Sequence, residues 1–160
     1  MTSAQKITPC LWFDFNAEEA VAHYLSVFQD SRIMSMTRYG EAGPGPAGAV
    51  MTILFEIDGQ QFLALNGGPH FKFTPALSLI VNCDDQAEVD ALWEKLSDGG
   101  APGQCGWLTD RFGVSWQIVP RALPALLLSE DPKRADRLMR AVLTMKKLDI
   151  RQLQQAFGPN

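Results

Sequence analysis

"ALSLIVNCDDQAEVDALWEKLSDGG", residues 76–100, decides the fold, because it joins a short apolar run to a helix start and the chain contains that arrangement twice. Asp85 followed three places later by Glu88 is a capping box: the Asp oxygen takes an orphan N–H of the first turn and the Glu reaches back. Residues 7–28, "ITPCLWFDFNAEEAVAHYLSVF", repeat the arrangement at an offset of 69, with Asn16 falling on Asp85, Glu19 on Glu88 and Tyr24 on Trp93. The two helices are expected to start alike. In the first, Ala20, Val21, Tyr24, Leu25 and Phe28 recur at helical spacing as one apolar stripe, and His23 lies off it as a surface residue.

Working outward, each helix is followed by strand-like segments. In the first half these are residues 32–39, 49–59 and 60–67, with Asp58-Gly59 as a hairpin turn. The loop 40–48, "GEAGPGPAG", holds four Gly and two Pro in nine residues and reads as a mobile connection. In the second half, residues 103–110 and 114–120 supply the later strands around an Arg111-Phe112-Gly113 turn. The expected organisation is a βαβββ module over 6–67, a shortened copy over 76–120 and a helical extension over 121–160. In the extension, Ser129 to Lys133 offers a cap with Pro132 in the first turn, Leu138, Met139, Val142, Met145 and Leu148 form a stripe, and Asp149 caps a last helix.

A chain of 160 residues with 46% apolar content, 20% charge and a net charge of −4 fits an ordinary globular protein and argues against the sustained phosphate contact of a nucleic-acid binder. The N-terminus has no long apolar segment, and the longest apolar run, 122–128, is too short to span a bilayer, so a cytosolic protein with no membrane partner is expected. Cys10, Cys83 and Cys105, an odd number without C-x-x-C spacing, read as buried thiols rather than a disulfide framework.

Four segments together carry a family likeness: "ITPCLWF" with "NAEEAVAHY", "LNGGPHFKFTPALSLIVNCDDQAEVDALWEKL", and "GWLTDRFGVSWQIVP" at 106–120. Over roughly residues 6–120 the chain resembles the PhnB-like branch of the vicinal oxygen chelate superfamily, which also contains glyoxalase I, extradiol dioxygenases and the bleomycin and fosfomycin resistance proteins. The resemblance implies an α+β fold in which two βαβββ modules curl into a cup, and it implies a homodimer. Branch members often carry a name referring to demethylubiquinone methyltransferase, yet no Gly-rich strand-to-helix loop with a following acid is visible for S-adenosylmethionine.

In metal-dependent members the ligands are His, Glu or Gln on the first and last strand of each module. Aligned by helix starts and the Asp110–Gly113 turn, those positions fall near Pro9, Ala64, Ser78 and Gln117, of which only Gln117 is a plausible ligand. Neighbours one residue away (Thr8, Cys10, Leu63, Leu65, Leu77, Leu79, Trp116, Ile118) add one soft ligand, so neither a metal nor another cofactor is expected. With the ligand parity as guide, the cup lining is expected to be Leu11, Phe13, Phe62, Ala64, Asn66, Ser78, Ile80, Asn82, Ser115, Gln117 and Val119, with His70 and Trp107 at its rim, while Trp12 and Trp93 are core residues. His70 is a potential general base and Lys72 and Arg111 potential anion contacts; Asp110 is read chiefly as the turn former. Three functions remain open: a metal-free protein binding a small organic, partly aromatic molecule; an isomerase-, lyase- or dioxygenase-type enzyme whose rearranged metal site uses His70, Gln117 and Asp110; and an interaction scaffold whose helical tail binds a partner.

Overall fold

The computed structural model describes residues 5–159 and divides into two compact units, the first ending at Lys72 and the second starting at Phe73. The first unit runs β1 (Cys10–Phe13), α1 (Ala17–Val27), β2 (Ser31–Arg38), β3 (Val50–Ile57) and β4 (Gln60–Asn66), in the sheet order β1-β4-β3-β2. The second runs β5 (Ser78–Cys83), α2 (Gln86–Ser97), β6 (Ala101–Pro102), β7 (Trp107–Thr109) and β8 (Ser115–Pro120), ordered β5-β8-β7-β6, followed by α3 (Ala122–Leu127), α4 (Pro132–Thr144) and α5 (Ile150–Phe157). In both sheets the first strand lies parallel to the last and the others pair antiparallel, so the repeated βαβββ reading is the observed architecture.

The first helix does not start as its sequence suggests. Asn16 makes no side-chain cap bond; the N–H of Ala17 instead donates to Oδ1 of Asn66, at 2.9 Å, from the end of β4. Nδ2 of Asn66 donates to the backbone oxygen of Val50 and to Glu18. In α2 Asp85 caps as read, accepting from the Glu88 N–H at 2.9 Å, while Glu88 reaches back one residue past the cap and accepts from the Asp84 N–H at 2.7 Å. A Glu at this end also complements the positive helix terminus.

Helix α1 buries Ala17, Ala20, Val21, Tyr24 and Val27 against one face of its sheet, where Leu11, Phe13, Ile53, Phe55, Phe62 and Ala64 are also buried. The Tyr24, Phe55 and Phe62 rings stack in series, with centroids 6.3 and 5.5 Å apart. His23 is half-buried beside Tyr24 rather than a solvated surface residue. The β3–β4 turn has Asp58 at φ 48° and Gly59 at φ 78°, the left-handed pair of a type I′ hairpin, as the Asp-Gly dipeptide predicts. The loop 40–48 has no regular secondary structure, as expected, and lies close on its own module. It is tied by Tyr39 N–H to Ala49 O and Gly48 N–H to Tyr39 O, both 2.8 Å, and wraps the buried Tyr39 ring. A Cβ at Gly43 or Gly45 would fall 2.3 or 2.4 Å from that ring, so these glycines permit close approach.

In the second unit α2 packs Val89, Leu92 and Leu96 against the side of the sheet carrying Leu108, Trp116 and Ile118. The C-terminal helices enclose their own core of Leu123, Leu138, Val142, Met145, Leu148 and Leu153, against which Cys105 and Val119 pack. Leu138, Val142, Met145 and Leu148 of the stripe are thus buried within the chain's own second unit, whereas Met139 is exposed. Asp131, within the span expected to supply the cap, caps α4 ahead of Pro132 in the first turn, and Asp149 caps α5 as expected. The connection between these helices is bonded to the module: Cys105 N–H to Met145 O, Gly106 N–H to Lys146 O, and the Gln86 amide to both Leu148 O and Ile150 N–H. The last carbonyls of α5 accept from Arg134 and Arg137, and Arg134 lies 4.0 Å over the Phe157 ring. Among the described residues, no helix is long and apolar enough to cross a membrane.

Candidate functional site

Each sheet has one face beneath its helix and one turned away from it, and only the second is available to a ligand. In the second unit the sequence parity holds. Ser78, Ile80, Asn82, Trp107, Ser115, Gln117 and Val119 occupy the face opposite α2, since Trp116, Ile118 and Leu108 take the helix side. Pairing sets Ile80, Gln117 and Trp107 in one row across β5, β8 and β7. Nε2 of Gln117 donates to Oγ of Ser78 at 2.9 Å, both side chains being half-buried. Ile80 and Asn82 are exposed, Ser115 is buried, and Val119 is covered by the C-terminal core.

In the first unit the expected parity is reversed. Leu11, Phe13, Phe62, Ala64 and Asn66 lie on the face beneath α1, where Asn66 caps the helix and Phe62 stacks on Phe55, so none of them lines the free face. That face carries Cys10, Trp12, Thr52, Leu54, Leu63 and Leu65 instead. Trp12 is therefore not a core residue. Its Nε1 donates to Gly68 O at 2.9 Å, its ring meets the exposed Phe71 edge-on at 4.9 Å, and a Cβ on Gly67 would come within 2.3 Å of it. The signal that could have found Trp12 was the Gly67-Gly68 pair, which reads as a turn but marks the close approach of an indole. His70 is exposed in the loop that follows β4, beside Phe71.

Asp110 is buried in its turn. Oδ1 accepts from the N–H of Phe112 and Val114, at 2.9 and 3.0 Å, and Oδ2 accepts from Nε1 of Trp116, at 2.9 Å. Because Trp116 is on the helix side, this carboxylate is directed away from the Gln117 face and cannot serve there as a base or ligand. Arg111 pairs with Asp98 at 2.8 Å in a solvent-exposed ion pair, and Lys72 is exposed. Burial pushes the Cys10 thiol above its ordinary value, although the residue is exposed on the free face. Cys83 is buried and pushed up to about 12, first by burial and then by Glu88 and the neighbouring acids, so neither thiol is an activated nucleophile.

These arrangements do not suit a divalent metal. The four aligned positions now read as Pro9, whose carbonyl accepts from Leu63 N–H; Ala64, buried under α1; and the neutral pair Ser78 and Gln117. Shifting the first unit to its free face supplies one thiol among Cys10, Trp12, Leu63 and Leu65. Among the described residues no three His, Cys, Asp or Glu side chains are grouped to hold a metal ion. Imidazole, carboxylate or thiolate sets are what such ions require, and the residues present do not fit one. S-adenosylmethionine fits no better at a doubly wound type of site: the Gly-rich segment 40–48 joins antiparallel strands around Tyr39, while α1 and α2 follow Asp14-Phe15-Asn16 and Asp84-Asp85.

Two βαβββ units, each with its own four-stranded sheet, are the fold of the vicinal oxygen chelate superfamily. Within it, the chain belongs to the family described as 3-demethylubiquinone-9 3-methyltransferase, of the PhnB type, which residues 5–119 match. A PhnB protein from Bacillus cereus is 41% identical, with 72% of this chain and 99% of that one covered and a TM-score of 0.67. A Pseudomonas aeruginosa protein is 25% identical over 73% of this chain and 98% of its own, at TM-score 0.61. The fosfomycin resistance protein FosX from Listeria monocytogenes, complexed with Mn(II) and sulfate, shares the fold at 13% identity and TM-score 0.51, covering 75% of this chain and 91% of that one. No curated protein matches.

Proposed function

We propose that this chain binds a small organic molecule through hydrogen bonds and apolar contact, without a metal ion. The observation that carries the reading is the Gln117–Ser78 hydrogen bond, a neutral pair where metal-dependent relatives of this fold would present ligands, flanked by Ile80 and Trp107. Small-molecule sites combine apolar area with a few convergent polar groups, and both free faces have that character. Residues 6–67 and 76–120 are the binding modules in this reading, and 121–160 supports the second. On the second module Ser78, Ile80, Asn82, Trp107 and Gln117 line the free face in this reading; on the first, Trp12, Leu63 and Leu65 line its own free face, with His70 in the loop that follows β4. The working form is a cytosolic homodimer. Thermal-shift screening of the purified chain against planar carbonyl compounds and divalent metals tests the function, since a ligand specific to the native state raises the midpoint by mass action. Midpoints raised by planar compounds in the presence of chelator support it; midpoints raised by metals alone contradict it.

A further inference from the structure

We propose that the Gln117–Ser78 pair selects an uncharged ligand group carrying a hydrogen-bond donor beside an acceptor, such as a lactam or a carboxamide. The inference rests on the binding reading above and gives its ligand a chemical class.

The argument is one of hydrogen-bond valence. An amide side chain has a donor end and an acceptor end, and a hydroxyl has one proton and two lone pairs. With one N–H of Gln117 Nε2 donating to Oγ of Ser78 at 2.9 Å, the amide oxygen remains to accept, and the second amide N–H and the serine proton remain to donate. Turning the amide over, so that its oxygen accepts the serine proton, leaves the two amide N–H groups to donate and the serine lone pairs to accept. Both residues are half-buried, so the pair is partly desolvated yet reachable. Trp107 stands beside Gln117 on β7 and the exposed Ile80 beside it on β5, offering a ring and a methyl surface on either side of the polar pair. A flat ligand stacked on this row would turn its edge toward Gln117 and Ser78. An anionic edge could accept from the serine proton and the second amide N–H but would meet no countercharge, because Ser78, Ile80, Asn82, Trp107, Ser115 and Gln117 include no cation.

Isothermal titration of the full chain with three probes tests this: 2-quinolone, whose ring N–H adjoins its carbonyl; quinoline, which only accepts; and quinoline-2-carboxylate, an anion. The expected order is 2-quinolone about tenfold tighter than quinoline, with the carboxylate weakest, as one net hydrogen-bonded pair implies. In Gln117→Leu the 2-quinolone affinity falls to that of quinoline, which is itself unchanged; Ser78→Ala gives a smaller loss in the same direction and serves if the first variant does not fold. Equal binding of 2-quinolone and quinoline, tighter binding of the carboxylate, or an unaltered preference in both variants overturns the assignment. Failure of all three probes to bind the wild-type chain overturns the binding reading beneath it.

Discussion

Helix α1 starts on an amide contributed by a strand, Asn66 at the end of β4, whereas α2 starts on its own Asp85. The turns before the last strands differ as well. Asp58-Gly59 closes its hairpin through two residues at positive φ and an Asp58 N–H bond to Asp30 O, while Asp110 holds its turn with a buried carboxylate accepting from the N–H groups of Phe112, Val114 and Trp116. The free faces contrast in kind: Trp12, Leu54, Leu63 and Leu65 are predominantly apolar, and Ser78, Asn82 and Gln117 bring polarity to the second. Two copies of one topology therefore keep their shape with different contacts. One free face is mostly apolar and the other carries hydrogen-bonding groups.

Breaking the turns should separate the units most. Replacing Asp110 by Ala leaves three N–H donors in and around a buried turn without their acceptor and is expected to cost about 3 kcal/mol in urea unfolding. Asp58→Ala, which places a less tolerant residue at positive φ in an exposed turn, should cost less than about 1 kcal/mol. The helix starts come next. Asn66→Ala should cost about 2 kcal/mol, a lost cap plus a buried carbonyl left without its donor, and Asp85→Ala about 1 kcal/mol, while Asn16→Ala should change little. If Asn16→Ala proved as costly as Asp85→Ala, the strand-borne cap would be wrong.

The thiols give the smallest contrast. Iodoacetamide should modify exposed Cys10 in the native chain and reach Cys83 only on unfolding, with mass spectrometry locating the adducts. Because the folded state holds the Cys83 proton up to about 12, above the ordinary value of 9.0, its contribution is fully present below pH 9 and is lost progressively as pH rises from 9 toward 12. Equal stability of wild type and Cys83→Ala, relative to each other, across that range would contradict the shift.

Much of this was legible in the residues, and the exceptions share a cause. Asp85–Glu88 and Asp58-Gly59 are local devices whose partners lie within four residues, so their spacing announces them. Asn66 could not be read as a cap because its helix begins 49 positions earlier in the chain. The parity of β4 was ambiguous because both faces carry apolar side chains, Phe62 and Ala64 on one and Leu63 and Leu65 on the other, and an alternation with no polar phase sets no direction. The parity of β8 was readable because Ser115 and Gln117 alternate with Trp116 and Ile118. The approach of Gly43 and Gly45 to the Tyr39 ring was not legible, since composition marks a turn-rich loop but not what it lies against.

Manganese binding tests the central claim most directly. Mn(II) titrated into the chelator-stripped chain and followed by electron paramagnetic resonance should remain free at protein-stoichiometric concentrations, and Gln117→Leu should leave the titration unchanged. One tightly bound Mn(II) per chain, lost in Gln117→Leu, would contradict the account.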